Sequence, residues 1–127
     1  MRSREMAGPG GHGEAGAVAA EAAVVVPVLA LVTVGLAWLV TLGVSHGRVV
    51  DAAREAARVV ARGESAATGA ALARRVGPAG TRAVVNGDGD TVVVTVTAPV
   101  RPPGGILGFL PPVDVHAQAV SLREPGR

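Results

Sequence analysis

A run of 23 residues without a charged side chain, residues 22–44, constrains the fold of this chain more than any other feature. As an α-helix it would be about 34 Å long, enough to cross a bilayer core of about 30 Å. A protein of 127 residues has too little other surface to enclose such a helix on all sides. A cleaved secretory signal would have a shorter apolar region of about 7 to 15 residues. We therefore predict a single transmembrane helix.

The composition excludes several classes of function. All 12 basic residues are arginines and the formal net charge is only +2, so a nucleic-acid-binding surface is not indicated. There is no cysteine, and His12, His46 and His116 are too scattered for a zinc site. His116 alternates with apolar residues, so we expect its side chain to face solvent. We expect a protein that is not an enzyme, with no catalytic residue, metal or cofactor.

Beyond the apolar segment, the spacing predicts that the helix continues to about Arg62 and becomes amphipathic. Its charged residues share one side, where two pairs at i,i+3 favour ion pairing, Asp51 with Arg54 and Glu55 with Arg58. The opposite, apolar sector contains Val49, Val50, Ala53, Ala56, Ala57 and Val60. Gly63 marks a break, and residues 64–75 are predicted to form a second, short helix.

The rest of the chain has the two-residue period of β-strands. Valine- and threonine-rich runs at residues 81–86 and 91–98 flank four turn-forming residues, 87–90, which is typical of a hairpin. The same four residues lack the pattern of a calcium loop. A third strand is predicted at residues 113–122. The fold class is therefore α+β: a long N-terminal transmembrane α-helix extending into an amphipathic helix, then a short helix and a small three-stranded antiparallel sheet.

A loop rich in proline and glycine joins the second and third strands and contains the apolar run Ile106 to Leu110, with Phe109 as its aromatic residue. Apolar side chains of this size favour burial. We expect them to pack on the amphipathic helix of the same chain, on a sister subunit or on a receptor.

Glu21 is the residue at the N-terminal edge of the apolar segment that needs a functional explanation. An ionised carboxylate inside a bilayer is costly unless it is paired, so such residues are candidates for function. The alternative is that Glu21 lies at the level of the lipid headgroups, where the cost is small.

The residues around Glu21 resemble the class III signal of type IV pilins and pseudopilins. A charged leader ends at Gly16, and a cut before Ala17 would make Glu21 the fifth residue of the mature chain. With Pro27 and the sequence DAAREAAR at residues 51–58, the stretch from Gly16 to about residue 62 is similar to the TadE family of tight-adherence pilus systems. It departs from the family pattern at Ala22, where phenylalanine is common, and at Ala56, where glycine is frequent.

The resemblance implies a domain organisation and a role for each of these residues. Residues 1–16 would be a leader peptide, 17–44 the transmembrane helix, 45–75 a helical stalk and 76–127 a small β-rich exported domain. Gly16 and Ala17 would form the processing site, and Glu21 would pair with the freed amine of Ala17 of a neighbouring subunit. Pro27 removes one backbone hydrogen bond and would allow a helix kink.

The resemblance also implies partners and a location. The partners would be a prepilin-type peptidase, other pilin or pseudopilin subunits, the Tad membrane assembly platform and membrane lipid, with no nucleic acid. The chain would be a single-pass protein of the cell membrane with a cytoplasmic N-terminus and an exported C-terminus, and would enter an extracellular pilus. The positive-inside rule alone favours the opposite orientation, because four arginines follow the span within residues 48–62.

Two functions thus follow from the sequence, and processing distinguishes them. The first is a structural subunit, a minor pilin or pseudopilin, assembled through its N-terminal helix. The alternative is an unprocessed, membrane-anchored binding module that recognises a partner protein or a cell-wall component. The state of the Gly16–Ala17 bond decides between them.

Overall fold

The computed structural model describes residues 10–125, and it confirms the α+β fold. The elements in chain order are α1 (Gly10–Ala61), α2 (Ala66–Val76), β1 (Arg82–Asp88), β2 (Thr91–Val100), a short 3-10 helix (Gly105–Leu107) and β3 (Val113–Leu122). The chain divides into two compact units, Met1–Ala37 and Trp38–Arg127, so α1 contributes to both.

Helix α1 begins earlier than the sequence predicts. It starts at Gly10, inside the predicted leader and ahead of residue 17, the predicted start of the transmembrane helix, while residues 1–9 of the leader lie outside the described part of the chain. Starting a helix costs free energy, but extending an existing helix orders only one residue for each hydrogen bond gained. A stable apolar helix can therefore extend into an adjoining segment of low helix propensity. At its other end α1 stops at Ala61, and Gly63, two residues further on, has a φ of 106°.

In the second unit, small apolar residues of α1 pack against strand β2. The amphipathic sector predicted from the sequence is confirmed, with two adjustments: Ala52 is fully buried, and Val50 is only half-buried. From α2, Gly69 and Ala73 complete this contact. Short side chains allow close approach of the helix to the sheet. The core cluster comprises Val49, Ala52, Ala53, Ala56, Ala57, Val60, Ala73, Val92, Val94, Val96 and Ala98.

The sheet is antiparallel with the order β1-β2-β3. Residues of β2 alternate between buried and half-buried, whereas β3 has one exposed face that includes His116, as predicted. The predicted four-residue connection of the hairpin is wrong. Asp88 pairs with Thr91, which leaves only Gly89 and Asp90 between the strands. Gly89 has a φ of 60°, a conformation that glycine adopts without steric cost, and this tight turn lets pairing continue to Asp88.

Candidate functional site

The four residues singled out by the sequence, Gly16, Ala17, Glu21 and Pro27, all lie on α1 within the unit Met1–Ala37. Every one of them is exposed. The site is therefore a stretch of helix surface and not a cavity, and its chemistry depends on what other molecules contact it.

The Gly16–Ala17 bond lies six residues after the first residue of α1, in the segment GGHGEAG. Each glycine inside a helix costs about 1 kcal/mol relative to alanine. Neither Gly13 nor Gly16 has another part of the chain within 4 Å of the position a Cβ would take. The glycines therefore make the first turns of α1 weakly helix-forming.

Glu21 follows Ala17 by four residues, one helical turn, so the two side chains lie on the same face of α1. Among the described residues Glu21 is exposed and makes no ion pair. A cut before Ala17 would create an ammonium group at a helix N-terminus, where the backbone already carries a partial positive charge of about +0.5. After such a cut the Glu21 carboxylate would lie one helical turn from this amine, on the same face of α1.

The apolar side chains that follow Glu21 are uncovered by the rest of the chain. Val24 is 65% exposed, Leu29 is 58% exposed and Leu36 is 58% exposed. None of the most apolar part of α1 is buried, and the helix is long and apolar enough to cross a membrane. The hydrophobic effect disfavours such a surface in water, so it requires lipid or other apolar helices around it.

Pro27 does not interrupt α1, which remains one helix from Gly10 to Ala61. Because proline has no N–H, the carbonyl of Ala23 lacks its usual backbone donor. Six residues later, the Thr33 hydroxyl donates a 2.8 Å hydrogen bond to the carbonyl of Leu29. Such a bond satisfies the hydroxyl inside an apolar environment and favours a slight bend. Sequence reasoning did not select Thr33, although a hydroxyl residue within an apolar helix, as at Thr33 and Thr41, is the signal for such a bond.

The charged side of α1 lies within the described part of the chain. Only one of its two predicted ion pairs forms there. The Arg58 guanidinium contacts the Glu55 carboxylate at 2.9 Å, whereas Asp51 and Arg54 are not paired with each other. Within residues 10–125, no group of three histidine, aspartate or glutamate side chains could hold a metal ion. The charged residues of α1 thus form a solvated helix face.

Comparisons with known proteins agree with the resemblance found in the sequence. The profile of the family described as TadE-like protein matches residues 16–58, from the residue before the predicted cut to the end of the DAAREAAR segment. A Mycobacterium tuberculosis protein named as an apoptosis inhibitor is 40% identical over 106 residues, which are 84% of this chain and 78% of that protein. No solved structure matches the chain.

Proposed function

The chain belongs to the TadE-like family, and from that membership we propose that it is a minor pilin or pseudopilin of a Tad-type type IV pilus, anchored in the membrane and assembled through its N-terminal helix. The family is a structural, pilus-related one. One observation carries the proposal: the family match begins at Gly16, the last residue of the proposed leader, and includes the exposed apolar part of α1.

In the proposed mechanism, a prepilin-type peptidase cuts between Gly16 and Ala17 and removes the charged leader. The products are a carboxylate on Gly16 and a free amine on Ala17, which is protonated at neutral pH. The glycine-rich first turns of α1 support this step because they unwind at low cost.

Assembly then depends on charge pairing between helices. The Glu21 carboxylate of one subunit meets the Ala17 ammonium of its neighbour, and each group neutralises a charge that lipid would penalise. The exposed apolar side chains of α1 exchange lipid contacts for contacts with neighbouring helices. A weakened hydrogen-bond ladder at Pro27 allows the helix to adjust as the subunit leaves the bilayer.

The location and partners follow from this role. The chain is held by one membrane span, with the leader in the cytoplasm and the unit that contains the sheet outside. The proposed partners are the peptidase, sister pilin or pseudopilin subunits, the Tad assembly platform and membrane lipid.

Replacing Glu21 with alanine tests the assembly step. The variant should still insert in the membrane, because its apolar segment is unchanged, but it should be lost from sheared filaments. The measurement is the amount of the subunit in filament and membrane fractions of the native host. Glu64→Ala is the matched control, since Glu64 is an exposed carboxylate outside the apolar segment.

Filaments containing Glu21→Ala at the level of the Glu64→Ala control would overturn the role of Glu21. Equal loss of both variants from the membrane fraction would indicate degradation instead of failed assembly. A chain that retains residues 1–16 in a host with an active prepilin peptidase would favour the alternative function, an unprocessed membrane-anchored binding module.

A further inference from the structure

The unit Trp38–Arg127 has two distinct ends, which are defined by the register of its strands. At the first end, the backbone N–H of Glu124 donates to the carbonyl of Ala61 at 3.0 Å, and that of Arg123 donates to the carbonyl of Asp90 at 2.6 Å. The last turn of α1 therefore lies beside the start of β2. We call this the distal end.

The loop between β2 and β3, residues 101–112, lies at the opposite end, which we call the proximal end. Val100 pairs with Val113 there, and β2 is about 30 Å long at 3.3 Å per residue. A helix rising 1.5 Å per residue covers that distance in about 20 residues, which leads back from Ala61 to near residue 41. Inclination of the helix to the strands reduces its rise along them, which moves this level from residue 41 toward Trp38. The loop is thus level with the end of the apolar segment.

Burial along α1 supports this placement. A stripe of half-buried residues continues the core stripe toward the N-terminus with alternating spacings of three and four: Trp38, Leu42 and Ser45, leading to the fully buried Val49. The second compact unit begins at Trp38 and so includes residues 38–44, the last seven of the uncharged segment. If residues 22–44 span a bilayer, the proximal end meets the bilayer surface.

The proximal loop carries an exposed aromatic side chain, whereas the exposed apolar side chains of the strands, such as Val84, Val120 and Leu122, are aliphatic. Phe109, the only phenylalanine of the chain, is 78% exposed. Leu110 and Val113 beside it are 39% and 43% exposed. The amphipathic face of α1 is therefore not the cover for Phe109, which leaves a partner outside the chain.

The exposed charges are distributed unequally between the two ends. The proximal end, including the end of α2 and the start of β1, carries five arginines and two aspartates: Arg48, Arg74, Arg75, Arg82 and Arg101 with Asp51 and Asp114. The distal end, including the last turn of α1, carries four acids and three arginines: Glu64, Asp88, Asp90 and Glu124 with Arg58, Arg62 and Arg123. The proximal end is thus the basic one, and it complements anionic lipid headgroups.

We propose that the proximal end docks on the anionic surface of the membrane that holds its own helix, with Phe109 and Leu110 inserted between the lipid headgroups. This inference rests on the membrane anchoring of the proposed function. Aromatic and aliphatic side chains of interfacial segments enter the headgroup and acyl boundary to a depth of about 5–10 Å, while the arginines remain at headgroup level. The docked loop fixes the orientation of the sheet on the bilayer before the subunit enters a filament.

The absence of cysteine allows a site-specific test with the full-length chain in nanodiscs. Phe109→Cys is labelled with a small fluorophore and compared with Leu122→Cys, an apolar position 75% exposed at the distal end of β3. Both side chains are exposed, so neither substitution removes core packing. Nitroxide-labelled acyl chains report contact with lipid, and iodide reports contact with water. In discs containing phosphatidylglycerol, we expect lipid quenching at position 109 to exceed that at 122 several-fold, with the opposite order for iodide.

A third label, at Leu29→Cys, separates this proposal from the proposed function. Strong lipid quenching at 29 with equal quenching at 109 and 122 would overturn the docking proposal alone. Absence of lipid quenching at 29 would overturn the membrane anchoring itself. A third outcome is that the label at 109 is not quenched by lipid but is protected from iodide, and that this protection increases with the number of subunits per disc. That result would show the loop in contact with a sister subunit and would overturn docking on lipid. Replacing phosphatidylglycerol with a zwitterionic lipid should reduce quenching at 109, and no change would overturn the part played by the arginines.

Discussion

Replacing Gly69 with alanine tests how closely the two helices of the second unit approach each other. Gly69 is buried in α2, and a Cβ on it would overlap the Cγ2 methyl of Val60 and lie 3.4 Å from the carbonyl oxygen of Ala56. Val60 is only 6% exposed. Because a β-branched side chain in a helix has one strongly preferred χ1 rotamer, its methyl group does not move away at low cost.

The expected magnitude follows from two opposing contributions. Alanine gains about 1 kcal/mol over glycine as a helix former, whereas overpacking a well-packed contact costs about 1–3 kcal/mol. We expect the free energy of unfolding of the second unit to fall by about 1 kcal/mol. With a urea dependence of about 1 kcal/mol/M for so small a unit, the unfolding midpoint falls by about 1 M.

The assay is pulse proteolysis with trypsin across a urea series, on the full-length chain in micelles, since the second unit contains many arginines. Gly47→Ala is the control, because Gly47 lies in α1 with nothing within 4 Å of the position that a Cβ would take, and it should be neutral or stabilising. In a Val60→Ala background the obstructing methyl group is gone, so Gly69→Ala should become neutral or stabilising. An unchanged or higher midpoint for the single Gly69→Ala variant would refute the reasoning.

Three further predictions concern the same unit and use the same assay. Val94→Ala, at a fully buried core position, should lower the free energy of unfolding by about 2–3 kcal/mol, while Val84→Ala, 57% exposed, should change it by less than about 0.5 kcal/mol. Gly89→Ala should cost about 1 kcal/mol because the turn requires a φ of 60°, and Gly89→Asn should recover much of the loss; equal effects would contradict this. Arg58→Ala breaks the exposed ion pair with Glu55 and should cost at most about 0.5 kcal/mol, so a loss above about 1 kcal/mol would show that the pair matters more than its exposure indicates.

Much of the fold could be predicted because its signals are local. A long uncharged segment specifies its own helix, and the alternation of apolar and polar residues over 113–119 specifies a strand with one exposed face. The prediction of the hairpin loop was wrong because strand pairing, and not local composition, decides where a strand ends. Gly87 and Asp88 have turn composition, yet they pair with Val92 and Thr91 because the positive φ of Gly89 makes a two-residue turn possible.

Prediction of the candidate site had a different limit. The sequence identifies Gly16, Ala17, Glu21 and Pro27 as candidates because each residue type has a distinct physical property. All four are exposed on α1, so their role depends on contacts with other molecules. A sequence can show that such a surface needs a partner without showing which one. The same holds for Phe109, whose cover does not come from the amphipathic helix of its own chain.

The central claim is that the chain is processed and assembled as a pilin-class subunit, and the N-terminal residue of the membrane-associated protein tests it most directly. Intact mass or terminal sequencing of protein expressed in its native host is the measurement. The account predicts a chain that starts at Ala17, with Glu21 as its fifth residue. A chain that starts at Met1 in the presence of an active prepilin peptidase would contradict it.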